Sequence, residues 1–176
     1  LFAGVGGFRI AFENLGNTCV FSSEFNSSSQ KVYETNFGEK PFGDINLINP
    51  NTIPDFEILT AGFPCQPFSL CGKKEGFRDT TRGTLFFNIA EIIKAKMPEM
   101  VLLENVKGIV THDKGKTQEI IIRTLRELGY TVYTKVLNTY DFGIPQNRER
   151  WYCVAFRKKI KFIFPEGQEQ GTTLKE

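Results

Sequence analysis

Histidine is almost missing from this sequence: the chain has one, His112, in 176 residues. Cysteine is scarce as well, limited to Cys19, Cys65, Cys71 and Cys153. Zinc needs Cys and His clustered at short spacings. Here the only close pair, Cys65 and Cys71, is far from His112, so a metal centre finds no support. Three of the cysteines lie in or beside apolar, strand-like runs where a free thiol packs as a small hydrophobe, and no disulfide framework is expected. Long apolar stretches are also absent. Nothing approaches the roughly 20 residues that span a bilayer, no basic-then-apolar leader opens the chain, and the sequence reads as cytoplasmic. An excess of one charge is lacking too: 22 basic side chains face 20 acidic ones, for a net +2. Global charge therefore gives no argument for nucleic acid, and any such case must be local. There is no internal repeat or low-complexity tract, and the length suits one domain.

What is present is an alternation of short β-type runs with longer helical ones. CVFSSE (19–24), FEILTA (56–61), MVLLE (100–104), YTVYTKVL (130–137) and WYCVAFR (151–157) read as strands. In GTLFFNIAEIIKAKM (83–97), Leu85, Phe86, Ile89, Ile92 and Ile93 recur at helical spacing, and Pro98 stops the run. In TQEIIIRTLRELG (117–129), Ile121, Leu125 and Leu128 make a similar stripe, closed by Gly129. This order predicts an α/β fold with a doubly wound, mostly parallel sheet. The last two runs are joined by only a loop, which predicts an antiparallel strand at the far edge. The domain is expected to cover 1–164, with PEGQEQGTTLKE (165–176) as linker.

The opening LFAGVGGF supplies a glycine-rich turn and the start of a helix, with a first strand that is clipped or very short. Such a turn lets backbone approach a nucleotide-like ligand, which in open sheets lies at the carboxyl ends of the strands. Glu24, about 20 positions later, is placed to hold ribose hydroxyls. Asp44, at the end of an expected third strand, is placed to receive an adenine amino group. NAD and S-adenosylmethionine both fit this outline. The next strand ends in GFPCQPFS, where Pro64 restricts the backbone presenting Cys65. A cysteine usually just fills space; as a thiolate it is a strong nucleophile when its pKa drops from about 8.5. The strand after that ends in LLENV, which brings Glu104 and Asn105 to the same rim.

LFAGVGGFR, SSEFN, GDI, GFPCQPFS, RGTLFF, ENV and GIPQNRER occur in the order, and close to the spacing, of the catalytic domain of the cytosine-5 DNA methyltransferases. From residue 1 to about 157 the chain resembles that family, especially the bacterial modification enzymes of restriction systems. The resemblance implies a Rossmann-like, S-adenosyl-L-methionine-dependent fold that methylates carbon 5 of cytosine in double-stranded DNA, with S-adenosyl-L-homocysteine as product. It implies a thiolate of Cys65 adding to carbon 6, and Glu104 contacting N3 and the amino group as acid. Arg148 and Arg150 would hold the base and its phosphate and favour the thiolate. On the cofactor side it implies Phe2, Gly4 and Gly7 near the methionine and ribose, and Glu24 on the ribose. Phe25 would take the adenine face, Asp44 and Ile45 its edge, with Pro64 and Leu85 closing the pocket. Gln66, Ser69, Asn105, Val106 and Gln146 would face the substrate.

The target base must leave the duplex, at a cost of about a few kcal/mol. Residues 66–83 fit a closing loop, with Gly72, Gly76 and Gly83 as hinges; in 70–82, Lys73, Lys74, Arg78 and Arg82 outnumber Glu75 and Asp79. Enzymes of this type carry a target-recognition region and a final cofactor-binding segment after such a half. A truncated chain, a second subunit carrying that region, or an ordered portion of a longer protein are the readings left open, with little activity expected from these residues alone. The resemblance places the protein in the bacterial cytoplasm, on the nucleoid. Two rivals stand beside DNA methylation: transfer RNA methylation by the same chemistry, and an inactive cofactor-binding fragment.

Overall fold

The computed structural model describes residues 1–64 and 85–167. Its sheet has four strands, β1 (Ile58–Gly62), β2 (Met100–Val106), β3 (Thr131–Asn138) and β4 (Glu149–Phe156), in the spatial order β1-β2-β4-β3. β1 and β2 are parallel, while β4 runs antiparallel to both of its neighbours, so β3 points the same way as β1 and β2. The antiparallel strand thus exists but lies one place in from the edge, which β3 occupies. WYCVAF is apolar on both faces, with Trp151, Cys153, Val154 and Ala155 all buried. Such a run belongs between neighbours, whereas the half-exposed β3 tolerates an edge.

The helices are α1 (Gly7–Glu13), α2 (Ser27–Phe37), α3 (Leu85–Lys96) and α4 (Lys116–Glu127). The expected periodicity of α3 is realised: Phe86, Ile89, Ala90, Ile92 and Ile93 are all buried. Each large apolar side chain so removed from water contributes about 1.5–3 kcal/mol. On α4 the buried stripe is Thr117, Ile121, Thr124 and Leu125, and the helix ends one residue before Leu128, with Gly129 at φ 93° just beyond. Both helices share one core with Leu59, Ala61, Val101, Leu103, Trp151, Cys153 and Ala155, the alternate residues of β1, β2 and β4. On the opposite face, Phe8 of α1 would lie 3.6 Å from a Cβ placed on Gly62. Cys153 is fully buried, and burial pushes its thiol well above the ordinary value. It packs as a hydrophobe. Among the described residues no cluster of His, Cys, Asp and Glu could hold a metal, and no helix is long and apolar enough to cross a membrane.

Tyr130, between α4 and β3, is tied to the link between α3 and β2: it is 4% exposed and donates to the Pro98 carbonyl at 2.6 Å. Burial, opposed only by Arg157, raises its phenol from 10.0 to about 12. Folding therefore favours the protonated phenol, a contribution complete below pH 10 and lost as the pH climbs towards 12. Wild-type unfolding free energy is expected to fall by about 2–3 kcal/mol across that interval. In denaturant titrations Tyr130→Phe should lack this alkaline decline while starting about 1 kcal/mol lower from the missing hydrogen bond. Parallel pH profiles of the two proteins would contradict it.

Two expected strands are not formed as such. The run 19–24 makes only an isolated bridge, Ser23 to Phe42, flanked by Phe42 N–H to the Ser22 carbonyl and Glu24 N–H to the Phe42 carbonyl, both 2.8 Å. Residues 18–22 and 56–60 both line a cavity of about 430 Å³, so the run has no strand alongside it there, among the described residues. Likewise Asp44 does not end a strand. Its carboxylate caps a single 3-10 turn, Ile45–Leu47, by accepting from Asn46 N–H at 2.9 Å.

Candidate active site

The strands that run parallel, together with the loops beside them, deliver their ends to one rim. Its order follows from backbone pairing. Phe42 bonds to Ser22 and Glu24; the Ser23 carbonyl accepts from Ala3 N–H at 2.9 Å; the backbone nitrogen of Leu1 donates to the Thr60 carbonyl of β1 at 2.7 Å. Gly62 then faces Glu104, Val106 faces Arg150, and Glu149 faces Asn138. Asp44, Glu24, Gly4, Pro64, Glu104 and Arg150 are thereby strung along one edge of the molecule, as chain order alone could not show.

At one end lies the glycine turn. Gly4 sits at φ 55° and Gly6 at φ 101°, a region that glycine enters at no steric cost. The Gly4 N–H donates to Glu24 Oε2 at 2.8 Å, and the other carboxylate oxygen accepts from Asn26 N–H at 2.8 Å. Glu24 thus shapes the turn as well as facing its mouth. Phe25 follows it with 75% of its surface exposed. Phe2 is half-buried against the core, at φ 54°. Asp44 also accepts from the Asn46 side chain, which in turn accepts from Asn88 of α3 at 2.7 Å. The side chain of Ile45 belongs to the hydrophobic core at 5% exposure, so only its backbone can front the rim. Pro64 is exposed and Leu85 half-buried. The 430 Å³ cavity is a separate space, lined by none of these cofactor candidates.

At the other end, Glu104 Oε1 pairs with Arg150 Nε at 2.9 Å, with both side chains about one-fifth exposed. A pair so sheltered is screened far less than one at the surface. Gly62 makes room for it, since a Cβ there would come within 3.3 Å of Glu104 Oε2. Tyr152, opposite Glu104 in register, completes the group. Burial first, then the charge of Glu104, raise its phenol above the ordinary value, against the pull of Arg150 and Arg148. Sequence reading missed Tyr152; only the pairing of β2 with β4 brings it here. Val106 is 45% exposed at the end of β2. The segment before β4 is cross-braced by Asn138, which accepts from Arg148 N–H at 2.9 Å, and by Thr139, whose hydroxyl donates to the Gln146 carbonyl at 2.7 Å. This bracing holds the Gln146 and Arg148 side chains out in solvent.

Asn105 departs from its expected place against the substrate. It is 2% exposed; its amide donates to the Phe63 carbonyl at 2.8 Å and its oxygen accepts from Val106 N–H at 2.8 Å. The two-residue period of MVLLENV turns it inward with Val101 and Leu103. It positions the backbone that leads out of β1. Cys65, Gln66, Ser69 and the proposed loop lie outside the described residues.

The whole chain, residues 1–176, matches the family model for C-5 cytosine-specific DNA methylase. The type II methyltransferase M.NgoBI of Neisseria gonorrhoeae is 62% identical over 176 residues, covering 100% of this chain and 55% of that protein. M.HaeII of Haemophilus aegyptius is 62% identical over 166 residues, covering 94% and 52%. M.HhaI of Haemophilus parahaemolyticus is 52% identical, covering 100% and 54%. The chain spans about half the length of the curated relatives it matches. Among solved structures, a DNMT2 variant from Spodoptera frugiperda superposes with a TM-score of 0.74 at 26% identity, covering 99% of this chain and 54% of that one.

Proposed function

This chain belongs to the C-5 cytosine-specific DNA methylase family, and from that premise we propose that it is the cofactor- and base-binding half of an enzyme methylating carbon 5 of cytosine in duplex DNA. The observation that carries the reading is the shared rim. A Glu104–Arg150 pair suited to one pyrimidine edge and a Gly4–Glu24 turn suited to a ribose lie along the same sheet edge.

The residues fit S-adenosyl-L-methionine better than NAD. A pyrophosphate would need the N–H groups of the glycine turn, yet Gly4 N–H already donates to a carboxylate whose charge repels phosphate. Glu24 suits a ribose diol and a cationic sulfonium, and the exposed Phe25 ring offers a face to adenine. Phe2, Gly4 and Gly7 would flank the methionine end; Asp44 and the Ile45 backbone would meet the adenine edge; Pro64 and Leu85 would close the side. When bound, the cofactor supplies an electrophilic methyl group, and S-adenosyl-L-homocysteine is what remains.

The chain's own residues make carbon 5 nucleophilic. Cys65 is assigned the attack: its sulfur bonds to carbon 6 of the flipped cytosine, and the electrons of the 5,6 double bond become available at carbon 5. Glu104, which takes up a proton from solvent as the base enters and keeps its other oxygen on Arg150, passes that proton to N3 as this charge develops, acid catalysis worth about 10²–10⁴ in rate. Arg150 fixes the Glu104 carboxyl, while Arg148, held outward by the Asn138 brace, is assigned a phosphate. Val106 and Gln146, with Gln66 and Ser69, are assigned to the walls around the base. Once carbon 5 has been methylated, water takes its proton, the electrons of that C–H bond restore the 5,6 double bond, the sulfur–carbon 6 bond breaks to free Cys65 as thiolate, and N3 returns its proton to Glu104. Such an enzyme works where bacterial DNA lies. The matched relatives are nearly twice as long as this chain, and a second subunit gains no support from them.

Transfer of tritiated methyl from S-adenosyl-L-methionine, by the protein at its full encoded length, tests the substrate. Label is expected in DNA and not in transfer RNA; label in transfer RNA alone would reverse the assignment.

A further inference from the structure

The glycine turn is gripped from two sides, and only one grip involves a residue assigned to the cofactor. On that side Gly4 N–H is held by Glu24. On the other, the last turn of α2 closes over Val5 and Gly6. Asn36 Nδ2 donates to the Val5 carbonyl at 3.1 Å. The Phe37 ring occupies the space a Gly6 side chain would need, with Cε2 and Cζ 2.1 and 2.4 Å from the site of an added Cβ. Phe37 is itself backed by Arg9, whose guanidinium lies 4.4 Å from the ring centroid. A cation over an aromatic face attracts it, more so when desolvated. Arg9 cannot drift, because its side chain is 14% exposed, pairs with Glu13 at 2.7 Å and with Glu39, and donates to the Tyr33 hydroxyl at 3.1 Å. Tyr33 in turn packs its ring 4.5 Å from that of Phe37.

A turn with positive φ at Gly4 and Gly6 has many other conformations open to it, since glycine is the least restricted residue. Holding it in one of them before the ligand arrives removes an ordering cost from binding. We propose that Asn36, Phe37 and Arg9 form a clamp that presets the glycine turn for the adenosyl cofactor without touching it, which makes them positioning residues for the methyl transfer. The proposal rests on the cofactor reading above.

Asn36→Ala and Phe37→Leu, made separately in the protein at its full encoded length, test it by calorimetric titration with S-adenosyl-L-homocysteine and by steady-state kinetics. Each variant is expected to bind the product about tenfold more weakly, the scale of one lost hydrogen bond or packing contact. KM for S-adenosyl-L-methionine should rise in proportion, with kcat and KM for DNA unchanged. Lys31→Ala, at an exposed position of α2, serves as the control with wild-type constants. Asn36 is exposed, so its variant reports on the turn even where Phe37→Leu lowers stability. Rescue of affinity by Phe37→Tyr, which restores the ring over Gly6, would support the clamp. Wild-type affinity in Asn36→Ala, or a fall in kcat with cofactor binding intact, would overturn it. A wild-type protein that binds no S-adenosyl-L-homocysteine at all would instead count against the cofactor reading.

Discussion

Glutamine in place of Glu104 is expected to lower kcat for methyl transfer to cytosine by about 10²–10⁴-fold, the range for removing a positioned acid. The substitution keeps the shape of the side chain and an oxygen that can still accept from Arg150, so the 2.9 Å contact need not be lost. What disappears is the proton that N3 must receive as the thiolate adds. Affinity for S-adenosyl-L-homocysteine should stay near that of wild type, because the glycine turn and Glu24 lie several chain segments away along the rim. A loss shared equally between kcat and cofactor binding would indicate collapse of the rim instead of loss of an acid. Retained activity would remove Glu104 from the chemistry altogether.

The second large effect is at Cys65. Serine there keeps the size of the side chain but replaces a thiol that ionises readily with a hydroxyl that does not, so attack on carbon 6 should stop. Methyl transfer is expected to become undetectable while binding of S-adenosyl-L-homocysteine continues. Substrate DNA should still bind, because Arg148 and the other groups assigned to phosphate and base are untouched. Such a variant separates recognition from catalysis within one side chain.

How much of this could be read from the sequence depended on the range of the interaction concerned. Helices α3 and α4 were legible because the spacing of Phe86, Ile89 and Ile93, or of Ile121 and Leu125, is a local property. The strand expected at 19–24 was not realised, because a ladder needs partners, and those available to Ser23 are residues 3 and 42 and no neighbour along the chain. The inward position of β4 depended on which strand of the last pair meets β2. A signal for it was present in the unbroken apolar run WYCVAF. Asn105 could also have been placed correctly, since the alternation that sends Val101 and Leu103 into the core sends it there too. No local pattern announces Tyr152 or the Arg9–Phe37 stack, because each arises from a pairing of distant segments. Glu104 and Arg150 were legible as residue types at strand ends; their 2.9 Å contact was not.

The central claim is that the sulfur of Cys65 bonds to carbon 6 of a cytosine held against Glu104 and Arg150. The most direct measurement is covalent trapping on a duplex whose target cytosine carries fluorine at carbon 5, with S-adenosyl-L-methionine present. Fluorine cannot leave as the proton does, so the sulfur–carbon bond should persist. Wild-type protein at its full encoded length is expected to give a denaturant-stable protein–DNA adduct whose modified peptide contains Cys65, and Cys65→Ser to give none. An adduct that survives in Cys65→Ser, or no adduct from a wild-type protein that methylates unmodified DNA, would contradict the account.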